Sequence, residues 1–478
     1  MRPTAAPPVP PVLRTADRMI PHRLARSAQR DPVGAARVRE WIADRNTARA
    51  HTVSRVTFEE LDRWGFDTRT GNLRHDTGRF FSVEGLRVET DTGPVRSWNQ
   101  PIINQPEIGI LGILVAEHDG VLHCLLQAKS EPGNVNGVQL SPTVQATRSN
   151  YTGVHAGKSV PFIEYFRSPG DGRVLSDVLQ SEQAAWFYRK RNRNMIVEVD
   201  GPLPVGEDFR WVTLGQLHEL CAVDNLVNMD TRTVLAGMPG GFEGAAGTSD
   251  RGLADALARS ADTAIGGLHT TGELLSWITD RQTEPEVRTS LIPLDDVDDW
   301  RRAPDRVHRD DEAFFSVVAV DVASPGREVS AWTQPLLEPH GIGRVAMVVA
   351  RFDGVLHALM HARVEPGYLE AVELAPTVQW TPRAYSSLGL EPPEFLDVVT
   401  AAEGTDRVLF DAELSEEGGR FLHARNRYQI VEVANPVDDR TTPDHQWMTI
   451  GQLTGLLQHN NYVNVQARSL VACLRGLA

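Results

Sequence analysis

The chain has 478 residues, 41% hydrophobic and 23% charged, the proportions of a globular protein with room for two or more cores. A formal net charge of -15 excludes a nucleic-acid polyanion as the main partner, because phosphate backbones are held by Lys and Arg, but a nucleotide gripped by a few local arginines stays open. Three widely spaced cysteines, Cys124, Cys221 and Cys473, make neither a disulfide framework nor a zinc motif and fit a reducing cytoplasm, and no apolar run approaches the roughly 20 residues of a membrane span.

Residues 1–20 carry Pro3, Pro7, Pro8, Pro10 and Pro11 without an apolar segment, which predicts a disordered tail rather than a signal peptide. Between Ala36 and Arg45 the spacing sets Val38, Trp41 and Ile42 on one face of a helix. Ile108 to Glu117 is apolar and β-branched, Asp119-Gly120 supplies a hairpin turn, and Val121 to Leu126 resumes as a strand. Glu131-Pro132-Gly133 marks a loop. Gln183 to Lys190 reads as a helix, Met195 to Val199 as a strand, and Thr213 to Leu220 as a helix with Thr213 as its N-cap.

The pattern then repeats. Phe80-Phe81-Ser82-Val83 returns as Phe314-Phe315-Ser316-Val317, Trp98-Asn99-Gln100-Pro101 as Trp332-Thr333-Gln334-Pro335, and Arg191-Asn192-Arg193 as Arg425-Asn426-Arg427, always offset by 234. From His118 to Tyr151, 18 of 34 positions are identical with Phe352 to Tyr385. At the edges the offset becomes 236, where Trp41 pairs with Trp277, Trp211 with Trp447, and Asn225 and Asn228 with Asn461 and Asn464. A repeat of this length is a whole domain rather than a solenoid unit. The expected organisation is a first unit over 21–236, a Gly-rich linker over 237–262 and a second unit over 263–478. Each unit is α+β, a mixed sheet flanked by helices.

The densest polar stretch runs from Gln127, Lys129, Glu131 and Asn134 to Gln139, Ser141, Thr143 and Gln145, directly after the hydrophobic hairpin. The alternation of Gln139, Ser141, Thr143 and Gln145 places four hydrogen-bonding groups on one face of an extended segment. That face suits the hydroxyls of a sugar; it equally suits the solvent side of a half-exposed strand. The second copy keeps Glu365-Pro366-Gly367 and Pro376-Thr377-Val378-Gln379, and solvent faces have no need to keep identities. Arg191 and Arg193, like Arg425 and Arg427, either hold phosphate oxygens or answer the dipole of a helix end. Trp98 and Trp332 either stack on a base or fill a core. The chain contains no GxGxxG after a strand, no P-loop, no HExxH and no GxSxG, so any chemistry runs on side chains alone.

Trp98-Asn99-Gln100-Pro101, Gln127-Ala128-Lys129, Glu131-Pro132-Gly133-Asn134 and the run Gly137 to Tyr151 resemble the NDP-hexose 2,3-dehydratase family, over essentially the whole chain from about Pro21. The resemblance implies a Nudix-like fold in each half, a homodimer, and no cofactor. It implies conversion of dTDP-4-keto-6-deoxyglucose to a labile 3,4-diketo-2,6-dideoxy sugar nucleotide, for a downstream 3-ketoreductase or aminotransferase. The Nudix box with its acidic metal ligands is missing, so metal-dependent pyrophosphate hydrolysis is not expected. A tandem Nudix-type hydrolase and a silent sugar-nucleotide binding protein are the competing readings.

The chemistry the resemblance implies needs a base for the C3 proton, a donor for the C4 oxygen and an acid for the departing C2 hydroxyl. Lys129, Glu131 and Tyr151 are the candidates, with the base left unassigned: Lys129 is cation or base, Glu131 base or acid. Trp98, Gln100, Gln127, Asn134, Gln139, Ser141, Thr143, Gln145 and Arg148 are expected to orient the sugar and nucleotide, and Arg191, Asn192 and Arg193 to hold the diphosphate. Trp332, Gln334, His361, Arg363, Glu365, Tyr368, Thr377, Gln379, Tyr385, Arg425, Asn426 and Arg427 line the matching second pocket. There Lys129 has become Arg363, Asn134 Tyr368 and Ser141 Ala375, so catalysis is expected in the first copy. Turnover should therefore survive EDTA and exhaustive dialysis; restoration of lost activity by Mg²⁺, Zn²⁺ or NAD would contradict this.

Overall fold

The computed structural model describes residues 20–48, 51–151, 160–168, 170, 172–240, 242, 251–324, 331–434 and 442–478. The tail expected over 1–20 thus lies almost wholly outside the described residues, as does much of the Gly-rich stretch.

The first copy runs α1 (Ile20–Ser27), α2 (Pro32–Ala48), β1 (Thr52–Val56), β2 (Trp64–Phe66), β3 (Leu73–His75), β4 (Ser82–Thr90), β5 (Ser97–Asn104), β6 (Gly109–His118), β7 (Val121–Ser130), β8 (Val138–Pro142), β9 (Val144–Ala146), α3 (Arg148–Tyr151), α4 (Glu164–Arg167), β10 (Arg173–Ser181), β11 (Arg191–Glu198), β12 (Phe209–Thr213), α5 (Leu214–Cys221) and α6 (Met229–Ala236). The second repeats it as α7 (Arg251–Ala261), α8 (Thr271–Thr283), β13 (Val287–Ile292), β14 (Trp300–Arg302), β15 (Arg306–Arg309), β16 (Phe315–Ala323), β17 (Ala331–Pro339), β18 (Gly343–Phe352), β19 (Val355–Val364), β20 (Val372–Ala375), β21 (Val378–Trp380), α9 (Pro382–Leu388), α10 (Leu396–Ala402), β22 (Val408–Ser415), β23 (Arg425–Val433), β24 (His445–Thr449), α11 (Ile450–Leu456) and α12 (Val465–Leu474).

Each copy contributes a mixed sheet, β10-β11-β6-β7-β12 in the first and β20-β19-β18-β23-β22 in the second, with β6 and β11 parallel and their neighbours antiparallel. Leu24, Val38, Ile42, Leu217 and Val234 cover one face of the first sheet, and Phe166 of α4 the other. The β6–β7 turn has Asp119 at φ 47° and Gly120 at φ 76°, left-handed at both central positions as a two-residue hairpin requires. Thr213 caps α5 in a reciprocal pair with Gln216.

β6 and β7 pair only from Leu114–His118 to Val121–Leu125, then splay, and the ribbon β8–β9 fills the fork. Thr143 pins the fork: its hydroxyl donates to the Leu125 carbonyl and accepts from Leu114 N at 2.9 Å. Thr377 does the same with Leu359 and Val348.

The two copies are interlocked. β1 pairs with β16 of the second copy, and β13 pairs with β4 of the first, so each unit lends its first strand to the other's small sheet. Phe58, Leu73, Phe81 and Phe187 share one core with Leu294, Val307, Phe315 and Phe421. Between the copies α6 packs on α12, where Arg232 and Arg468 are almost wholly buried. Arg232 reaches the Ser415 carbonyl at 2.7 Å and Arg468 the Ser181 carbonyl at 2.5 Å, each closing a strand end of the other copy. Buried guanidinium groups need carbonyls of this kind to offset their desolvation.

Several expectations are corrected. Residues 183–190 form turns, not a helix, because their backbone bonds go to Ile103 and Gly367 instead of along a helix. Arg191, Asn192 and Arg193 lie inside β11 rather than before it. The polar face of 139–145 is not solvated: Gln139, Ser141 and Thr143 are buried. Residues 251–261, within the expected linker, form α7, whose Ser260 bonds the Leu356 carbonyl as Ser27 of α1 bonds that of Leu122.

The repeated Glu-Pro-Gly loops have a structural cause. Gly133 N donates to Gly418 O at 2.7 Å and Gly133 O accepts from His423 N at 2.8 Å; Gly367 does the same with Ala184 and Arg189 at 2.9 and 2.8 Å. A Cβ on Gly133 would stand 1.7 Å from Phe421 O, and one on Gly367 1.9 Å from Phe187 O. Gly133→Ala and Gly367→Ala should each cost about 3 kcal/mol through overpacking. Gly206→Ala, whose Cβ would meet nothing within 4 Å, should be nearly neutral. Equal thermal unfolding midpoints for all three would refute the clasp.

Candidate active site

The fork gathers the polar groups of the first copy. Lys129 at the end of β7 lies 3.3 Å from Glu131 Oε1 and donates to the Gln145 carbonyl at 3.3 Å. Gln145 on β9 donates to Glu131 Oε1 at 2.9 Å. Asn228, N-cap of α6, accepts from Thr231 N at 2.8 Å and donates to Ser141 Oγ at 2.9 Å and Gln145 Oε1 at 3.2 Å. Lysine, carboxyl and amide are therefore fixed relative to one another by two strands, a loop and a helix cap.

The second copy completes this site. The clasp lays the loop 417–420 over Glu131. A methyl on Gly419 would stand 2.4 Å from Glu417 Oε1 and 3.4 Å from Glu131 Oε1, so one carboxyl from each copy converges over this glycine. Glu417 accepts from Gly419 N at 2.9 Å, while its Oε2 has no hydrogen-bond partner. Asp230 of α6 is 3% exposed, and its Oδ1 is likewise without a partner. Burial, then the charges of Glu182, Glu417 and Glu131, hold the Asp230 carboxyl well above the usual range. Burial and the Glu131 charge push Glu417 up, to about 7, against the opposing Arg420. Lys190 donates to the Glu107 carbonyl, and burial lowers its ammonium to about 8. Arg420 acts on Glu417, Glu131 and Glu107.

Glu107 leads outward. It is part of a cleft of about 660 Å³ lined also by Ile108, Arg148, Arg167 and Arg193. Arg193 makes a bidentate pair with Asp177 at 2.7 and 2.6 Å. Three arginines on the lining of this cleft present the guanidinium donors that suit the oxygens of a diphosphate. Among the described residues no group of three or more His, Cys, Asp or Glu is arranged to hold a metal ion.

Lys129, Glu131, Gln145, Arg148 and Arg193 are thus placed at the fork or the cleft, and half-buried Gln127 lies on β7 beside them. Asn134 touches the clasp, donating to Gly137 O at 2.7 Å. Other expected residues are structural. Trp98 donates to Gln100, which donates to Ala185 O at 2.8 Å; both belong to the small sheet. Thr143 pins the fork, Ser141 serves Asn228, and Gln139 bonds Asn136 and Ser415. Asn192 ties Gly109 N to Glu182, and Arg191 pairs with Ser181 in the sheet. Tyr151 ends α3, and its side chain lies outside the described residues.

The second pocket has the same frame with other contents. Arg363 meets Glu365 at 2.8 Å and Gln379 donates to Glu365 at 3.0 Å. Asn464 caps α12 and donates to Gln379 and Tyr368, whose buried ring occupies the interior. His361 stacks on His445 at 4.4 Å, and Tyr385 acts on Arg363. Gln334 braces Gly419 O at 2.9 Å, and Trp332 donates to Gln334. Thr377 pins the second fork. Arg425 pairs with Glu413 and Arg427 with Asp411, and Asn426 bonds Glu416. Buried Glu373 is tied to Ser181 of the first copy at 2.5 Å.

Sequence reasoning passed over Asn228, Asp230, Arg167, Lys190, Glu417 and Arg420. The repeat held a usable clue: Glu417 aligns with Gln183, Gly419 with Ala185, Arg420 with Trp186, and Asp230 with Gln466. Reading those differences as a site required knowing that the loops cross between copies.

The sequence model described as NDP-hexose 2,3-dehydratase matches residues 35–238 and again 271–474. A dTDP-4-dehydro-6-deoxy-alpha-D-glucopyranose 2,3-dehydratase of Saccharopolyspora spinosa is 50% identical over 91% of this chain and 90% of its own. Proteins of the same description from Amycolatopsis orientalis and Streptomyces violaceoruber are 48% and 46% identical, over 92% and 91% of this chain and 90% and 96% of theirs.

Asn228 and Asn464 offer a test of site against scaffold. Removing either cap by substitution to Ala should cost about 1–2 kcal/mol of stability. Only Asn228→Ala should also lower turnover per folded molecule, because it frees Gln145 and so Glu131. Equal activity in the two variants would contradict the placement of the site.

Proposed function

The chain belongs to the NDP-hexose 2,3-dehydratase family and is a hydro-lyase acting on dTDP-4-keto-6-deoxyglucose in deoxysugar biosynthesis; we propose that the reaction runs in the first copy's fork, with Glu131 as the base and Lys129 as the cation facing the C4 oxygen. The observation that supports this most is the Lys129–Glu131–Gln145 group, linked through Arg420 to Glu107 of the arginine-lined cleft.

The C4 carbonyl acidifies the C3 proton. Glu131 takes it, and the electron pair moves into an enolate whose oxygen faces Lys129. The C2–O bond then breaks and the hydroxyl leaves as water, with a proton from an acid. The C2=C3 enol gives its O–H proton back to that acid while C2 takes a proton from Glu131, whose carboxyl proton has exchanged with solvent in between. The sum is loss of water, with both groups restored. Arg148, Arg167 and Arg193 hold the diphosphate in this reading, and Tyr151 stays a candidate through its repeat partner Tyr385.

Each unit is read as Nudix-like, on the support of its mixed sheet covered by helices on both faces, and the assembly as a homodimer. The labile diketo product would pass to a 3-ketoreductase or aminotransferase. The protein is read as cytoplasmic; no helix among the described residues is long and apolar enough to cross a membrane.

With dTDP-4-keto-6-deoxyglucose and a 3-ketoreductase, mass spectrometry should show a 2,6-dideoxy sugar nucleotide, carrying deuterium at C2 when made in D₂O. Glu131→Gln should cut the rate at least ~100-fold and Glu365→Gln at most about threefold. Greater loss with Glu365→Gln would move catalysis to the second copy.

A further inference from the structure

The mechanism leaves one role unfilled, the acid that protonates the departing hydroxyl, and the site leaves one carboxyl unused. We propose that Glu417, contributed by the second copy, is the proton donor to the C2 hydroxyl, so that the working site is built from both copies. This rests on the dehydration reading above and adds a residue to it.

Three observations converge. The first is position: Glu131 and Glu417 approach the same glycine, Gly419, from opposite copies. Elimination across C2–C3 needs a base and an acid facing adjacent carbons, and two carboxyls that meet at one glycine are placed to serve neighbouring atoms. The second is an unfilled valence. Glu417 Oε2 and Asp230 Oδ1 are buried acceptors without a donor, and Asp230, 3% exposed, is acted on by both Glu417 and Glu131. Oxygens in that state take protons of their own, an ordered water or a hydroxyl-bearing ligand. The third is the internal comparison. Where the first site has Glu417, Gly419, Arg420 and Asp230, the matching positions of the other site hold Gln183, Ala185, Trp186 and Gln466. Amides replace both acids, Gln183 at the same shape as Glu417 and Gln466 one methylene longer than Asp230; the open glycine gains a methyl, and the tryptophan cannot counter a charge.

The groups facing Glu417 explain how two carboxyls divide the work. Glu131 has Lys129 at 3.3 Å and a bond from Gln145, the surroundings of an acceptor. Glu417 meets Glu131, Glu182 and Arg420 in a buried setting that favours the proton-carrying form. Asp230, held toward its proton-carrying form by the same carboxyls, serves as a positioning residue. A pair of acids driven apart by their surroundings is the usual arrangement for a base and an acid in one site.

The test is Glu417→Gln, an isosteric change that copies the residue already standing at position 183. Calorimetry with dTDP-4-keto-6-deoxyglucose should show affinity within about threefold of the unaltered enzyme, and turnover should fall ~100-fold or more. Substrate deuterated at C3 should still lose its label to solvent on this variant, because the base remains, whereas Glu131→Gln should lose both exchange and turnover. Turnover within threefold of the unaltered enzyme overturns the proposal. So does loss of C3 exchange together with turnover, which would make Glu417 the base or a scaffold residue. Glu417→Asp, which keeps a proton carrier, should regain part of the rate; equal inactivity of Asp and Gln variants with binding abolished in both would also overturn it. An unaltered enzyme that yields no dideoxy product would instead defeat the dehydration reading itself.

Discussion

The structure depends on one backbone constraint: the Pro-Gly loop of each copy is hydrogen-bonded on both sides to the loop after the first edge strand of the other. The bonds Gly133–Gly418, His423–Gly133, Gly367–Ala184 and Arg189–Gly367 form a reciprocal clasp with no room for a Cβ at either glycine. Strand exchange through β1 and β13 and the buried pair Arg232 and Arg468 point the same way. Each removes a surface that a lone unit would expose, such as an open sheet edge or uncapped strand carbonyls. The units are thus halves of one folded body.

This frame separates identities that hold the fold from those that perform chemistry. Glu-Pro-Gly is kept because the clasp needs it, and Thr143 and Thr377 because the fork needs a hydroxyl that both donates and accepts. Asn228 and Asn464 are kept because each caps a helix while orienting a glutamine. Identity between the copies, which at first glance suggests two equal ligand sites, is in large part the record of shared scaffolding. The positions that differ, with acids, glycine and lysine on one side and amides, tyrosine and tryptophan on the other, lie inside the pockets.

How far the sequence could be read follows the range of the forces involved. The Asp119-Gly120 turn, the stripe of α2 and the Thr213 cap are local, and residue type and spacing suffice for them. The repeat was legible because it needs no structure at all. The helix expected at 183–190 was wrong because Ala184 and Ala185 carry helix propensity worth only tenths of a kcal/mol, less than the backbone bonds that claim the segment from Ile103 and Gly367. The polar alternation of 139–145 was correctly seen as extended, but its exposed face is covered by α6 and by Ser415 from the other copy. Lys129 and Glu131 were legible as neighbours in sequence. Their partner Glu417 was not, since nothing local marks which copy's loop crosses over.

The energetics give the difference between the pockets its meaning. Each buried acceptor left without a donor costs about 1–3 kcal/mol, and like charges brought together cost more. The first pocket carries both burdens, in Asp230, Glu417 and Glu182 around Lys129, Lys190 and Arg420. The second pocket shows how the same backbone looks with fewer like charges brought together. Tyr368 fills the space, Arg363 satisfies Glu365 at 2.8 Å, and amides stand where the first pocket has acids. Its buried acid Glu373 has a serine on one oxygen, while Glu373 Oε1 and the amide oxygens of Gln183 and Gln466 are without donors there too. One fold therefore offers a more and a less acid-crowded version of a single design in one chain. Crowding of like charge lowers stability, and proton transfer between two unlike carboxyls is a use that requires both the burial and the crowding.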